Sequence, residues 1–279
     1  AISLRIPKDI PFAVALSGGL DSSIIAYVIE ARLRKRAQYY VVGERYPDSV
    51  LALLDHLNIC QSRVVLIEPP LESELFEHIA DTCRITKSYN PSVISNGLAS
   101  LLLCKAVQQD GIRVMLSGEG ADEFFCGYQG MYNGRNDPVK MRDNLVKDLH
   151  FTELRRLDLI SASYSVEARC PFLDRTVKRV ADNLEHKQFY IPGYNKIALR
   201  DAFRHLLPAD IANRKKTSFD VGSGIRKLVV DHLTRNGNTE IAELKEIWKD
   251  TFTYDVDDPY FFSYPTFDSA IAKRGGAHR

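Results

Sequence analysis

The stretch FAVALSGGLDSS, residues 12–23, decides the fold of this chain. Its five apolar residues, 12–16, have the length and composition of a strand buried on both faces, as in a parallel sheet. Gly18 and Gly19 then permit a tight turn with no Cβ between the backbone N–H groups and an approaching ligand. The apolar-rich residues 24–36 that follow predict a helix, so the stretch reads as strand, glycine turn and helix.

This arrangement predicts an anion site, because unpaired N–H groups and the positive end of the helix dipole face the same place. Phosphate is the expected anion, with Ser22 and Ser23 as capping residues. The site is not a Walker loop, since GxxxxGK[ST] occurs nowhere and a carboxylate, Asp21, follows the glycines. A carboxylate beside phosphate needs a divalent cation between them, so the site implies Mg²⁺. The alternative is a capped βα turn without a ligand.

Composition and charge limit the function classes. The 279 residues are 45% hydrophobic and 26% charged, which indicates one large domain, or two intimate ones, with a sizeable core. A net charge of +1 argues against nucleic acid as the main partner, and no apolar stretch is long enough to suggest a membrane partner. Five widely spaced cysteines, never in CxxC, favour reduced thiols and a cytoplasmic location over a zinc site or a disulfide framework.

Strand and helix patterns alternate through the first 120 residues. Further strands are predicted at residues 38–43, 63–67 and 112–116, and helices at residues 50–57, 71–85 and 94–109. Such alternation predicts an α/β fold with a doubly wound parallel sheet. In these sheets ligands bind beyond the carboxyl ends of the strands, where the strand order reverses.

A second informative turn follows the last of these strands. Residues 117–123 read SGEGADE, so Leu-Ser-Gly ends a predicted strand twice. Glu119, Asp122 and Glu123 would repel one another unless a cation, a proton or a difference in direction relieved them. If the two turns are neighbours, Asp21 and Asp122 can share one magnesium ion. The alternative, an acidic capped helix start, gives Glu119 no task.

The second half predicts a helical layer built onto the sheet, with no clear strand after Gly130. Helices are predicted at residues 139–150, 151–163, 175–185, 196–206, 209–214 and 239–248. The basic segment 213–224 (NRKKTSFDVGSG) could close over an anion or form a mobile surface loop. Residues 165–174 (SVEARCPFLD) are explained by an internal pair of Glu167 and Arg169. The aromatic tail 251–267 could pack on the core, line a pocket or contact a partner.

Four motifs in order, SGGLDSS, SGEGADEFFCGY, LDLISASYSVEARCPFLD and KIALRDAFRHLLPADIANRKKTSF, resemble the synthetase domain of the asparagine synthetase family, within the ATP pyrophosphatases. The similarity covers about residues 12–224. It implies an adenine nucleotide alpha hydrolase-like (PP-loop) fold with an ATP-pyrophosphatase core at residues 1–135. Residues 136–224 would complete the active site, and residues 225–279 would form an extension of unassigned role.

The resemblance implies that ATP is split to AMP and pyrophosphate while a carboxylate becomes an acyl-adenylate, which a nitrogen nucleophile captures. Asp21 and Asp122 would bind Mg²⁺. The other implied ATP contacts are Ser17, Gly18, Gly19, Ser22 and Ser23 for pyrophosphate, and Leu16, Val42, Gly43 and Gly118 for adenosine.

The resemblance also implies catalytic roles. Glu119 matches the position for proton transfer during amide formation, a task required because an ammonium must lose a proton before it attacks. Lys196 would stabilise charge on the adenylate, and Lys216 and Arg200 would contact phosphates. A lysine and a metal in a water-excluded cleft act where the barrier is electrostatic. Cys126 stands where relatives often have glycine.

The leading hypothesis is an AMP-forming amide ligase that uses ammonia or an amine. The residues before the first strand contain no glutaminase domain, so we expect nitrogen from free ammonia, an amine, a separate glutaminase chain or a domain cut from this chain. The alternatives are a natural-product lactam or macrolactam synthetase, a tRNA-modifying adenylating enzyme, and a non-catalytic scaffold. Glu119 weighs against the β-lactam-forming branch, and SGEGADE and the charge balance weigh against the tRNA enzyme.

Overall fold

The computed structural model describes residues 1–132 and 137–252. Its central sheet consists of β1 (Ala13–Ala15), β2 (Gln38–Val42), β3 (Val64–Ile67), β4 (Val114–Leu116) and β5 (Glu167–Arg169). All pairings in this sheet are parallel, in the order β3-β2-β1-β4-β5. The chain proceeds outward from β1 in both directions, so the strand order reverses between β1 and β4. The predicted α/β fold with a doubly wound parallel sheet is confirmed.

The α-helices described within residues 1–132 are α1 (Leu20–Tyr27), α2 (Asp48–His56), α3 (Glu72–Thr86), α4 (Pro91–Gln109) and α5 (Ala121–Phe124). Helix α1 begins four residues earlier than predicted, and a π-helical turn, Val28–Arg32, ends it. The early start arises because Gly19, rather than a polar side chain, takes the N-cap position. Asp21 therefore lies in the first turn, where a negative charge complements the helix dipole.

The predicted helical second half is also present, with shorter and more numerous helices than expected. They are α6 (Pro138–Asp148), α7 (Glu153–Ser163), α8 (Arg175–Asp182), α9 (His186–Phe189), α10 (Ile197–Phe203), α11 (Ala209–Ala212), α12 (Phe219–Gly222), α13 (Ile225–Leu233) and α14 (Glu240–Thr251).

The two faces of the sheet are covered by different helices. Val14 and Val41 face a buried cluster that contains residues of α1, α2, α10 and α11. Their strand neighbours Ala13 and Tyr40 face a second cluster with α3, α4, α7, α13 and α14. Successive residues of a strand point to opposite faces, so an apolar run without alternation is what this double coverage requires. Each fully buried aliphatic side chain contributes about 1.5–3 kcal/mol.

The expectation of no strand after Gly130 is wrong, because β5 pairs with β4 at the edge of the sheet. The strand is only three residues long and reads Glu-Ala-Arg, so it carries no apolar run. Edge strands are often short and charged, which prevents further pairing. The predicted pair of Glu167 and Arg169 is present, with both carboxylate oxygens 3.0 Å from the guanidinium.

A small antiparallel hairpin, β6 (Tyr190–Ile191) and β7 (Tyr194–Asn195), was also missed. Its turn is Pro-Gly, and Gly193 has a φ of +88°, a value that favours glycine. The Pro-Gly dipeptide was the available sequence signal. The hairpin matters because it leads the chain directly into Lys196.

Residues 225–252 pack on the core. Val229, Leu244 and Trp248 of α13 and α14 are fully buried against α3 and α4. The domain boundaries near residues 135 and 224 stay predictions. The aromatic tail from residue 253 lies outside the described residues.

Two further sequence expectations concern cysteines and membranes. All five cysteines are free thiols. In the part of the chain that the structure describes, every helix is too short or too polar to cross a bilayer.

Candidate active site

The turn after β1 is held by two serine hydroxyls. The Ser17 N–H donates to Ser22 Oγ at 3.3 Å, and Ser22 Oγ donates to the Gly19 carbonyl at 3.2 Å. The Gly19 N–H donates to Ser17 Oγ at 3.3 Å, and Gly18 has a φ of +68°. The first-turn N–H groups of α1 lack partners within the helix, so the turn presents an anion site at the end of β1.

The turn after β4 lies directly against the first turn. A Cβ added to Gly118 would lie 3.1 Å from the Asp21 Cβ and 3.5 Å from the Ser22 backbone nitrogen. Gly120 has a φ of +91°, and α5 starts immediately after it. Helix α5 therefore carries Asp122 to the same edge of the sheet as Asp21, as the sequence predicted.

The ammonium of Lys196 lies between the carboxylates of Asp21 and Asp122. Its Nζ donates to both Asp21 oxygens, at 2.8 and 2.6 Å, and forms an ion pair with Asp122 Oδ1 at 2.7 Å. Lys216 Nζ approaches the other Asp122 oxygen at 2.6 Å. Side chains separated by 175 positions in the chain thus form one compact cluster of two acids and two lysines.

Two backbone features make room for this cluster. Lys196 has a φ of +53° at the start of α10, so its backbone adopts the left-handed conformation that costs energy for a residue with a Cβ. Gly127 packs against the cluster: a Cβ there would lie 1.9 Å from Asp122 Oδ1 and 2.2 Å from Lys196 Cε. Unfavourable backbone conformations of this kind concentrate at functional sites.

The cluster sets the charge state of its members. Burial alone would raise the pKa of Asp122, but the ammonium groups of Lys196 and Lys216 hold this pKa below its ordinary value. Burial alone would lower the pKa of Lys216, but Asp122 and then Asp21 raise it above the ordinary lysine value. Asp122 is therefore ionised and Lys216 protonated at neutral pH.

Glu119 is held by a buried arginine. Arg156 Nη2 donates to Glu119 Oε1 at 3.0 Å and to Glu153 Oε2 at 2.5 Å, and Arg156 Nη1 donates to Ser100 Oγ at 3.3 Å. Burial and the neighbouring acids raise the pKa of Glu119, an effect that Arg156 partly offsets. The Glu119 side chain is 26% exposed, so a ligand can reach it. Burial likewise raises the pKa of Glu123 to about 8.

Two adjoining cavities, both open to solvent, meet at this cluster. Predicted site residues that line the first are Ser17, Gly19, Asp21, Val42, Lys196, Arg200 and Lys216. Those that line the second are Leu16, Ser17, Asp21, Ser22, Gly118, Glu119, Asp122 and Lys216. Ser17, Asp21 and Lys216 line both cavities, so the two adjoin at the ends of β1 and β4.

Gly18, Ser23 and Gly43 line neither of these two cavities. The Gly18 carbonyl accepts a hydrogen bond from Arg214. Ser23 is fully buried, and its hydroxyl has no partner among the described residues. The Gly43 N–H continues the sheet ladder by donating to the Ile67 carbonyl at 3.0 Å. Their assignment to ATP binding stays a prediction.

The Arg200 guanidinium is occupied by hydrogen bonds to neighbouring residues of the chain. Its guanidinium donates to the carbonyls of Asn195, Ala212 and Arg214 at 2.6, 2.5 and 2.9 Å, and to Asn195 Oδ1 at 3.0 Å. Burial lowers the pKa of Arg200. These contacts fasten the start of α10 to the basic segment, while the phosphate contact predicted for Arg200 stays a prediction.

Sequence reasoning missed Arg156 and Arg214 as members of the site. Arg214 lies in the basic segment that was singled out, from which only Lys216 was assigned to the site. Nothing local linked Arg156 to the site, because Glu119 lies 37 positions away and its nearer partner, Glu153, is three positions away in the same helix. Cys126 faces the buried residues Met131 and Met141 and has a φ of +53°, which explains why glycine suits this position.

The donor set at the cluster fits a divalent cation. Asp21 and Asp122 already converge on one positive charge, and Asp122 Oδ1 is buried without an aligned hydrogen bond. The described residues contain no group of three or more His, Cys, Asp or Glu side chains suited to a metal. A cation here would take its remaining ligands from phosphate and water, which is the usual arrangement for Mg²⁺ with a nucleotide.

Comparisons with known proteins identify the family. The family model described as asparagine synthase matches residues 1–148 and 136–252. The chain belongs to the asparagine synthase family. The expected resemblance is confirmed, and it extends beyond residue 224, where the motifs had suggested that it ended.

Three asparagine synthetases, all described as glutamine-hydrolysing, illustrate the similarity. Asparagine synthetase 2 of Oryza sativa subsp. japonica is 26% identical over 93% of this chain and 46% of its own length. Asparagine synthetase B of Escherichia coli K12 is 28% identical over 80% of this chain and 43% of its own length. The probable asparagine synthetase of Dictyostelium discoideum is 26% identical over 87% and 48%. The chain thus spans less than half the length of these relatives, as expected for the synthetase domain alone.

Proposed function

We propose that this chain is an ATP-dependent amide-bond ligase of the asparagine-synthetase type. It adenylates a carboxylate, releases pyrophosphate and transfers the acyl group to ammonia or an amine. The observation that carries the proposal is the position of the Lys196 ammonium between Asp21 and Asp122, in a cleft that also contains Glu119.

The cleft offers a separate surface for each part of ATP. The turn at residues 17–23 and Lys216 form the anion-binding side, with backbone N–H groups and an ammonium. Leu16, Val42 and Gly118 lie at or just beyond the carboxyl ends of three adjacent strands and form the adenosine side. This is the edge at which doubly wound sheets bind nucleotides.

Positive charge is the main requirement of the adenylation step, because the attacking carboxylate and the α-phosphate repel each other. Mg²⁺ bound by Asp21 and Asp122 would supply part of this charge. Lys196 would supply the rest, since its ammonium would leave the two carboxylates if a metal took its place and would then be free to bind the phosphate. Donors fixed in advance at such sites each contribute about 10²- to 10³-fold in rate.

Glu119 serves the second step, amide formation. An ammonium gives one proton to the Glu119 carboxylate, its nitrogen attacks the acyl carbon, and the bond from that carbon to the AMP oxygen breaks. The attached nitrogen loses its second proton to the departing AMP phosphate or to water. Arg156 holds the carboxylate toward the second cavity. A raised pKa brings Glu119 nearer to neutral pH, where a general base is most effective.

Pyrophosphate release tests the proposal. Purified protein is incubated with ATP, Mg²⁺ and a panel of carboxylates, aspartate included, together with ammonium, amines or glutamine. We expect release that depends on a carboxylate, and we expect Asp122→Asn to weaken Mg²⁺-dependent ATP binding. Release that requires RNA, or no release with any carboxylate, would contradict the proposal. Turnover with glutamine only after a second purified chain is added would indicate a separate glutaminase.

The variant Glu119→Gln separates the two steps. We expect it to keep carboxylate-dependent ATP–pyrophosphate exchange while losing amide formation from ammonium about 10²-fold or more. Hydroxylamine, which is largely unprotonated at neutral pH, should restore much of the lost product. Equal losses with both nucleophiles would remove the proton-transfer role from Glu119.

A further inference from the structure

Arg214 contacts both the turn after β1 and the start of helix α2, and the proposed reaction gives it no role. Its Nη1 donates to the Gly18 carbonyl at 2.9 Å and to Ser49 Oγ at 2.5 Å. Ser49 is a buried residue in the first turn of α2. One guanidinium nitrogen therefore links the turn after β1 to the start of a helix on the same face of the sheet.

The bond to Gly18 fixes the orientation of a peptide in the anion-binding turn. The peptide between Gly18 and Gly19 is planar and trans, so its carbonyl and its N–H point in opposite directions. Because Arg214 holds the carbonyl on one side, the Gly19 N–H must face the other side, toward Ser17. A Cβ on Gly18 would lie 2.4 Å from Ser49 Oγ, so the close approach of Ser49 to the turn also requires glycine at position 18.

The backbone of Arg214 is itself held in place. Arg200 Nη2 donates to the Arg214 carbonyl at 2.9 Å, and the N–H of Arg200 donates to the carbonyl of Lys196 at 3.0 Å. Two positions later, Lys216 reaches Asp122. Only Lys215 separates Arg214 from Lys216, so a fixed Arg214 also restricts where Lys216 can lie.

We propose that Arg214 is a positioning residue: it orients the Gly18–Gly19 peptide for phosphate binding and places Lys216 against Asp122. The inference rests on the proposed function, because it assigns the turn after β1 to the phosphates of ATP. Arg214 acts through the turn and through Lys216, so its loss should weaken nucleotide binding without removing a group that reacts.

Calorimetric titration with MgATP tests the inference. Removing a charged donor from a bound carbonyl typically changes an equilibrium by about tenfold or more, so we expect Arg214→Met to bind MgATP about tenfold more weakly. Ser49→Ala should lose about threefold, because the bond to Gly18 remains. Arg214→Lys should recover part of the affinity. Arg204→Met, an exposed arginine near the end of α10, is the matched control and should bind like the wild type.

A second measurement does not depend on nucleotide binding. Amide hydrogen exchange in a peptide that covers residues 16–22 should be faster in Arg214→Met than in the wild type, and unchanged in Arg204→Met. Wild-type affinity and exchange in Arg214→Met would overturn the inference. If the wild type itself does not bind MgATP, the proposed function fails, and the exchange result alone decides whether Arg214 holds the turn. If Arg214→Met does not fold, Ser49→Ala and Arg214→Lys decide in its place.

Discussion

Lys196 is the residue on which the site depends. Its side chain is only 3% exposed, so water can do little to compensate its charge. The carboxylates of Asp21 and Asp122 are its partners in the described structure. A buried charge without a partner is costly, so the two carboxylates and the ammonium stabilise one another. A divalent cation bound between the two carboxylates would compensate their charge in place of the ammonium. Lys196 and a metal therefore compete for one position.

Lys196→Met tests this competition. Removal of a unit positive charge in contact with both carboxylates should raise the affinity for Mn²⁺ in the absence of nucleotide by about tenfold or more, as measured by electron paramagnetic resonance. Lys216→Met should have a smaller effect, because Lys216 contacts Asp122 alone in the ion pairs described. The same Lys196 variant should retain ATP binding but lose pyrophosphate release. Unchanged Mn²⁺ affinity would show that Lys196 does not occupy the metal position.

Gly127→Ala tests the space around the same cluster. The new methyl group would overlap with Asp122 Oδ1 and Lys196 Cε, so these two side chains must move. Overpacking of this kind costs about 1–3 kcal/mol, and we expect a folded protein with a lower melting temperature. Affinity for MgATP should fall about tenfold or more. Wild-type affinity in a folded variant would mean that the positions of Asp122 and Lys196 do not matter for binding.

At the scale of elements, the stretch around β5 fastens the N-terminal residues to the sheet. Arg169 Nη1 donates to the Arg5 carbonyl at 2.7 Å, and Arg5 Nη1 pairs with Asp174 Oδ2 at 2.5 Å. Asp174 Oδ1 also accepts from the Thr176 N–H at 2.8 Å and so caps α8. The SVEARCPFLD motif therefore has a structural role that the sequence alone suggested only for its internal Glu–Arg pair.

Asp174→Asn tests this element through its pH dependence. Hydrogen bonds from Thr176, followed by the charge of Arg5, hold the pKa of Asp174 well below its ordinary value of 3.8. A lowered pKa means that the ionised group stabilises the fold above pH 3.8 and that this contribution is lost as the pH falls. Asparagine keeps the cap but not the charge.

We expect the variant to melt a few degrees below the wild type at pH 7, and we expect the difference to narrow as the pH falls below 3.8. The melting temperatures of the two proteins are compared by thermal unfolding between pH 7 and pH 3. A substitution of the exposed Asp201, Asp201→Asn, is the control. A difference that widens on acidification would contradict the assignment.

The elements differ in how well their sequences predict them. Strands β1, β2 and β4 were predictable because burial on both faces demands unbroken apolar runs, and β5 was not because an edge strand has no such demand. The hairpin before Lys196 was marked only by Pro-Gly. Helix α1 was placed four residues late because three capping-type side chains follow the glycine that actually caps it.

At the scale of the whole molecule, the doubly wound sheet explains which parts of the site could be foreseen. Strand order places the ends of β1 and β4 side by side, so Asp21 and Asp122 were predictable as neighbours from two short turns. The side-chain contacts of Lys196 and Arg214 with Asp21, Asp122, Gly18 and Ser49 were not, because they join residues far apart in the chain and no local pattern encodes such pairs. The family resemblance supplied Lys196 and Lys216 as residues but not their partners.

The central claim is that these two turns bind one magnesium–nucleotide complex. A crystal structure of the protein with Mg²⁺ and the non-hydrolysable analogue α,β-methylene-ATP tests it most directly. We predict phosphates against residues 17–23, one metal ion bound by both Asp21 and Asp122, and the Lys196 ammonium no longer between them. Nucleotide bound elsewhere on the molecule, or a metal ion that contacts neither carboxylate, would contradict the account.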